Sequence, residues 1–152
     1  MRAVVCRAWG PIDQLRCEPV APPALGPQQV RIAVRAAGLG YADALRAEGR
    51  YQVKPPLPWT PGSEVGGVVI EAEPAMAGLV PGDRVMGVAP AHGGGCAGQI
   101  VLDAARVLRL PDAVPFEHAA ATPVAYGTSL YALRQRARLA AGETLLVLGA
   151  AG

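Results

Sequence analysis

Aromatic residues are scarce: Phe, Trp and Tyr together make up 5% of the chain. A surface that stacks nucleic-acid bases needs aromatics interleaved with a basic stripe. Here the 14 lysines and arginines are scattered and the net charge is only +2. The densest basic cluster, Arg134, Arg136 and Arg138, reads as the solvated end of a helix, where cations suit the helix dipole. No nucleic-acid partner is expected. Long apolar runs are also missing; none approaches the roughly 18 residues needed to span a bilayer. The opening Met1-Arg2-Ala3-Val4-Val5-Cys6-Arg7 is interrupted by charge too early for a signal peptide. A cytoplasmic location without membrane attachment is the expectation. Cysteine is sparse as well. Cys6, Cys17 and Cys96 form no C-x-x-C pair, which argues against a disulfide framework and against a structural zinc site. All three are expected to be reduced and partly buried.

What is present suits a small globular unit. The 152 residues are 51% hydrophobic and 17% charged, enough apolar material for a core and too much for disorder. Gly 19 and Pro 15 are high counts that favour short strands joined by tight turns over a helical bundle. Residues 1–6 read as an opening strand, with a weaker one at 15–20 after the Gly10-Pro11 turn. The clearest strand signal is Val30-Arg31-Ile32-Ala33-Val34-Arg35-Ala36. Its large apolar side chains at 30, 32 and 34 face one way and Arg31 and Arg35 the other. Gly38 and Gly40 break this pattern. Residues 41–48 then read as a short helix with Leu45 on its apolar side and Gly49 as its stop.

Four prolines between 54 and 62 rule out regular structure there. Further strands are expected within 64–73, 84–88, 99–102 and 107–110, with Gly93-Gly94-Gly95 as a flexible loop tip. Many short strands with Gly/Pro turns suggest a small barrel or sandwich. From 115 to 139 the chain turns alanine-rich and helical. Pro123 interrupts it, and Thr122 is placed to N-cap a second helix with proline at its first position. Thr144-Leu145-Leu146-Val147-Leu148 reads as a strand buried on both faces, as in a parallel sheet. Gly149-Ala150-Ala151-Gly152 follows. A buried strand running into a glycine-rich turn is how a dinucleotide-binding βαβ unit begins, because small residues let backbone approach a pyrophosphate. Alone, this tetrapeptide is also compatible with an ordinary loop after a core strand.

The order of these features resembles the medium-chain dehydrogenase/reductase superfamily. Ala36-Ala37-Gly38-Leu39-Gly40-Tyr41-Ala42-Asp43 resembles A-x-G-L-N-Y-A-D. Gly49-Arg50-Tyr51 with Pro55-Pro56-Leu57-Pro58 resembles G-x-Y…P-x-x-P. Pro61-Gly62-Ser63-Glu64-Val65-Gly66-Gly67-Val68-Val69 resembles P-G-x-E-x-x-G-x-V, and Val80-Pro81-Gly82-Asp83-Arg84-Val85 resembles V-G-D-R-V. Residues 117–121 and Tyr126-Gly127-Thr128-Ser129-Leu130-Tyr131 resemble the A-A-A…T-A-Y segment, and the tail resembles the start of G-A-A-G-G-V-G. The resemblance covers nearly the whole chain, and within the superfamily it is to zinc-free, quinone oxidoreductase-like (zeta-crystallin-like) members. It implies a mainly β fold with helices. A GroES-like β-barrel, substrate-side domain would occupy residues 1–121. The linking helix and first strand of an α/β Rossmann domain would occupy 122–152, cut short inside the nucleotide-binding turn.

The resemblance also implies chemistry. Zinc-dependent relatives place a cysteine where Gly40 stands and a histidine where Ser63 stands, with a further cysteine near 122–128. None of these ligands is present, nor is the lobe of four close cysteines, so no zinc is expected. His92 and His118 are isolated and read as solvent-facing or locally bonded. The implied reaction is hydride transfer from NADPH to a quinone or other electron-poor alkene, with NADH not excluded. Tyr51 matches an active-site tyrosine that donates to or stacks on the acceptor, and Tyr41 lines the cleft. Thr128 matches a threonine near the nicotinamide, and Gly149, Ala150, Ala151 and Gly152 begin the pyrophosphate turn. Gly40 stands where an asparagine orients substrate or cofactor in many quinone reductases; its glycine removes that amide. Glu64 matches a structural glutamate paired inside the domain.

Two alternatives stay open: an enoyl-thioester or alkenal reductase of the same superfamily, and a non-catalytic GroES-like binding or structural module. The partner expected is a small-molecule acceptor. Relatives imply a homodimer for the full-length protein, and the 152-residue piece alone is expected to be inactive and to self-associate through residues 139–152.

Overall fold

The structure is a computed structural model that describes residues 1–73, 78–90 and 93–150. Among the described residues seven strands form, β1 (Arg2–Val5), β2 (Arg16–Pro19), β3 (Gln29–Gly38), β4 (Glu64–Ala72), β5 (Arg84–Val88), β6 (Gln99–Asp103) and β7 (Val107–Arg109). The helices are α1 (Tyr41–Ala47), α2 (Phe116–Ala121) and α3 (Pro123–Tyr131), the last running into a π-helical turn at Ala132–Arg136. The mainly β architecture with few helices is the one expected. It is not a closed barrel, however. Antiparallel β1 and β2 make one sheet, and β6-β3-β4-β5-β7 make a second, open one. Its outer strands β6 and β7 pair with β3 and β5 respectively and not with each other, so the ladder does not close. Two isolated bridges, Ala3–Ala97 and Cys6–Trp59, tie the hairpin to the loops at the end of the larger sheet.

The alternation in β3 places its side chains as expected. Val30 and Ile32 are fully buried, and Arg31, on the opposite face, reaches Glu71 on the neighbouring strand at 2.8 Å. Val65, Val69, Val85, Ile100 and Leu102 join them in the main core. Each such side chain contributes about 1.5–3 kcal/mol by leaving water. A smaller cluster of Cys6, Ala47 and Trp59, backed by Trp9 and Leu15, seats the hairpin against α1.

The other face of the sheet is covered by α2, which packs on β3 and β4. Glycine makes this approach possible. A Cβ on Gly38 would collide with the Ala120 carbonyl, and one on Gly66 would lie 2.5 Å from the Phe116 carbonyl oxygen. Buried Ala119 and Ala120 are the matching small residues on the helix.

Three local expectations are corrected. Gly93-Gly94-Gly95 is no free loop tip: Gly94 N donates to the Thr60 carbonyl at 2.8 Å and Gly95 N to that of Gly62 at 3.0 Å. Gly93 and Gly95 are buried, and Cβ atoms on them would strike the 60–62 backbone. Thr122 is helical (φ −90°, ψ −48°) and makes no side-chain cap. Its hydroxyl donates back to the His118 carbonyl at 2.6 Å, a local bond that competes with capping. Residues 144–148 form no strand. No strand lies beside them among the described residues, so their backbone groups have no ladder to join. Leu146 and Leu148 are 78% and 83% exposed. Among the described residues no helix is long and apolar enough to cross a membrane.

Candidate active site

Strand β3 ends at Gly38, and the chain turns through Leu39 and Gly40 into α1. Gly40 precedes the helix in extended conformation, and its N–H donates to the carboxylate of Asp43 (Oδ2) at 3.0 Å. The sequence pattern puts Leu45 on the buried side of α1. The structure buries Asp43, Arg46 and Ala47 instead, the i, i+3, i+4 face. Asp43 is 4% exposed. Its Oδ1 accepts from Gly62 N at 3.2 Å and from the Ser63 hydroxyl at 3.4 Å. The Arg46 guanidinium lies 3.6 Å from the same oxygen and donates to Ser63 Oγ at 3.2 Å. One buried carboxylate therefore joins the turn at 40 to the loop at 62–63. Such a pair is sensitive to the loss of either partner, because the survivor is left charged and unpaired away from water.

The chain reverses after α1. Gly49, at φ +69°, packs on Trp9, and its left-handed conformation ends the helix as its position suggested. Tyr51 N then donates to the Leu45 carbonyl at 3.1 Å. That return sets the half-buried Tyr51 ring beneath the guanidinium of Arg46, 4.6 Å from centroid to Cζ. Tyr41, in the first turn of α1, is 79% exposed. The network thus links Gly40, through Asp43, to Tyr51, through Arg46; Tyr41, five residues before Arg46, lies away from the buried face of the helix.

Cys96 sits behind this network. Burial, then the nearby Asp43 carboxylate, push its thiol up to about 11. The thiol is protonated at neutral pH and is no nucleophile there. Because the folded value lies above the ordinary 9.0, its contribution to stability is complete below pH 9 and fades as pH climbs towards 11.

Thr128 lies apart, exposed on α3. Its helix is fixed to the same end of the sheet by buried Glu64, whose Oε2 accepts from Val124 N at 2.8 Å. The carboxylate serves as an N-terminal cap supplied by β4, sixty residues away, and answers the positive end of the helix. This is the structural pairing expected of Glu64. Between β5, β7 and α3 lies an apolar hollow of about 580 Å³ lined by Met86, Leu108, Pro123, Tyr126 and Leu130. None of the proposed site residues lines it. Gly149 and Ala150 form an exposed turn, while Ala151, Gly152 and His92 lie outside the described residues.

Asp43 and Arg46 are the functional candidates that sequence reasoning missed. An acid three residues after the residue that precedes a helix is a signal for backbone N–H binding, and it is the signal by which Asp43 could have been found. Arg46 gave no such signal, since an i, i+3 charge pair usually reads as a solvated face.

An open five-stranded sheet, a bridged hairpin and a helix laid on glycines define a GroES-like domain. The chain belongs to the alcohol dehydrogenase GroES-like domain family, whose model matches residues 26–112. Quinone oxidoreductase-like protein 2 of Rattus norvegicus is 44% identical over 151 residues, covering 99% of this chain and 42% of the relative. A probable oxidoreductase from Mycobacterium abscessus superposes with a TM-score of 0.91 at 37% identity, covering 100% of this chain and 48% of that one. The quinone oxidoreductase of Thermus thermophilus, solved also as its complex with NADPH, gives a TM-score of 0.79 at 33% identity, covering 94% and 43%. The chain spans less than half the length of these relatives.

Proposed function

We propose that this chain forms the acceptor side of a reductase that moves hydride from a nicotinamide cofactor, NADPH in the first place, to a quinone or other electron-poor alkene without zinc. Residues 1–121 would be the acceptor-side domain and 122–152 the start of the nucleotide-binding one. The observation that carries the reading is the α1 cluster. A buried carboxylate–guanidinium–hydroxyl network joins the Gly40 turn to the ring of Tyr51, and Tyr41 stands exposed at the start of the same helix.

The same network supports a metal-free reading. Gly40 offers no side-chain donor, and Ser63 Oγ is already bonded to Arg46 and Asp43. A guanidinium 3.2 Å from that oxygen disfavours a second cation there. No group of three His, Cys, Asp or Glu side chains gathers as a metal site among the described residues.

Two glycines fit a closely approaching cofactor. A Cβ at Gly149 would meet nothing within 4 Å, and one at Gly40 would meet only Asp43 Oδ2 at 3.9 Å. Gly40, Thr128 and the turn Gly149, Ala150, Ala151 and Gly152 are the residues assigned to hold it; when bound, it supplies the hydride. Tyr51 would donate to or stack on the acceptor, and Tyr41 would close the cleft against water. The likeness to a quinone oxidoreductase-like protein and to a quinone oxidoreductase solved with NADPH supports the substrate and cofactor classes.

The test is an assay of the gene product that carries this chain, offered a quinone and an enone, with NADPH and NADH in turn, before and after chelation. Acceptor-dependent NADPH oxidation that survives chelation is expected. Activity lost on chelation and restored by zinc would overturn the metal-free reading. No oxidation with either acceptor class would overturn the reductase reading. The 152-residue chain by itself is proposed not to turn over.

A further inference from the structure

We infer that Arg46 is a positioning residue for Tyr51, and that its planar guanidinium, not its charge alone, sets where the tyrosine ring stands. The inference rests on the reductase reading for its kinetic consequence only. Arg46 is 9% exposed, an uncommon burial for arginine. One edge is committed: Nη1 donates to Ser63 Oγ at 3.2 Å and lies 3.6 Å from Asp43 Oδ1. Nε is buried and makes no hydrogen bond. The face of the group is committed too, with Cζ 4.6 Å from the centroid of Tyr51.

An arginine that served only to neutralise Asp43 would be expected to satisfy Nε and leave its face to solvent or aliphatic carbon. Here a hydrogen-bond donor goes unsatisfied while the flat face meets an aromatic ring. Asp43 and Ser63 hold the guanidinium in plane, and the guanidinium holds the ring. Among the described residues the hydrogen bond at Tyr51 is that of its backbone N–H to the Leu45 carbonyl, and its neighbours 50 and 52–54 are exposed. Lysine cannot replace this arrangement, because a point charge has neither the planar fork nor the stacking face.

Two variants test it, Arg46→Lys and Arg46→Met, each in the wild-type and the Tyr51→Leu background of the gene product. Tyrosine-ring resonances are read alongside kinetics. In both variants the Tyr51 ring signals are expected to move towards those of exposed Tyr41. The kcat/KM for the acceptor should fall about tenfold, mostly through KM, the scale of a partly desolvated cation–π contact. In the Tyr51→Leu background neither substitution should lower kcat/KM further, although Arg46→Met should still reduce thermal stability through Asp43. Arg46→Lys keeps a cation beside Asp43 and guards against a loss that is only misfolding. Unchanged Tyr51 resonances in Arg46→Lys, or an undiminished kinetic loss in the Tyr51→Leu background, would overturn the inference. If the gene product reduces no acceptor at all, the functional reading falls and the resonances alone decide whether Arg46 positions Tyr51.

Discussion

Strand β4 and residues 144–148 are built from the same kind of sequence and meet opposite fates. Val65 and Val69 of β4 are 0% and 1% exposed, whereas Leu146 and Leu148 are 78% and 83% exposed. Composition does not separate them; neighbours do. β4 has β3 on one edge and β5 on the other, with the apolar core beneath it and α2 above. Residues 144–148 have no strand alongside among the described residues. The helices repeat the contrast. Six-residue α2 buries Ala119 and Ala120 on glycines of the sheet, while nine-residue α3 buries nothing. β-propensity proposes a strand, but backbone pairing and a surface to pack on decide whether one forms.

The comparison can be tested by substitutions on each side of it, read as urea-unfolding midpoints. Asp43→Ala should cost most, about 3–5 kcal/mol, because it strands the buried Arg46 charge and removes the acceptor for Gly40 N and Gly62 N. A loss below about 1 kcal/mol would mean that water already reaches the pair. Gly38→Ala should cost about 1–3 kcal/mol by forcing α2 off the sheet; an unchanged midpoint would show that the helix is not seated as described. Glu64→Ala removes the cap at the joint between the two regions and should cost about 1–2 kcal/mol, with faster amide exchange in α3 than in β4. Leu146→Ser should stay within about 0.5 kcal/mol of the parent. A larger effect would show that 144–148 is buried after all.

The sequence was most informative where periodicity and tight turns act together. The alternation of 30, 32 and 34, the helix between Gly40 and Gly49, and the Pro-Gly-Asp turn before β5 all follow from local rules. Local rules failed where distant backbone supplies the partner. Gly93-Gly94-Gly95 is held by residues 60–62, and α3 is capped from β4, so neither could be read from adjacent residues. The site was half legible for the same reason. Gly40, Tyr41 and Tyr51 stand in recognisable motifs, and a buried network links Gly40 with Tyr51. The pair beneath them did not stand out, because only the approach of Gly62 and Ser63 in space turns Asp43 and Arg46 from a solvated face into a buried one.

The most direct test of the candidate site is to follow backbone and tyrosine-ring resonances while hydroquinone, the reduced form of the simplest proposed acceptor, is titrated in. The account predicts shifts centred on Gly40, Tyr41 and Tyr51, lost in Tyr51→Leu. Shifts confined to the apolar hollow around Met86 and Tyr126, or none at Tyr51 up to the solubility limit, would contradict it.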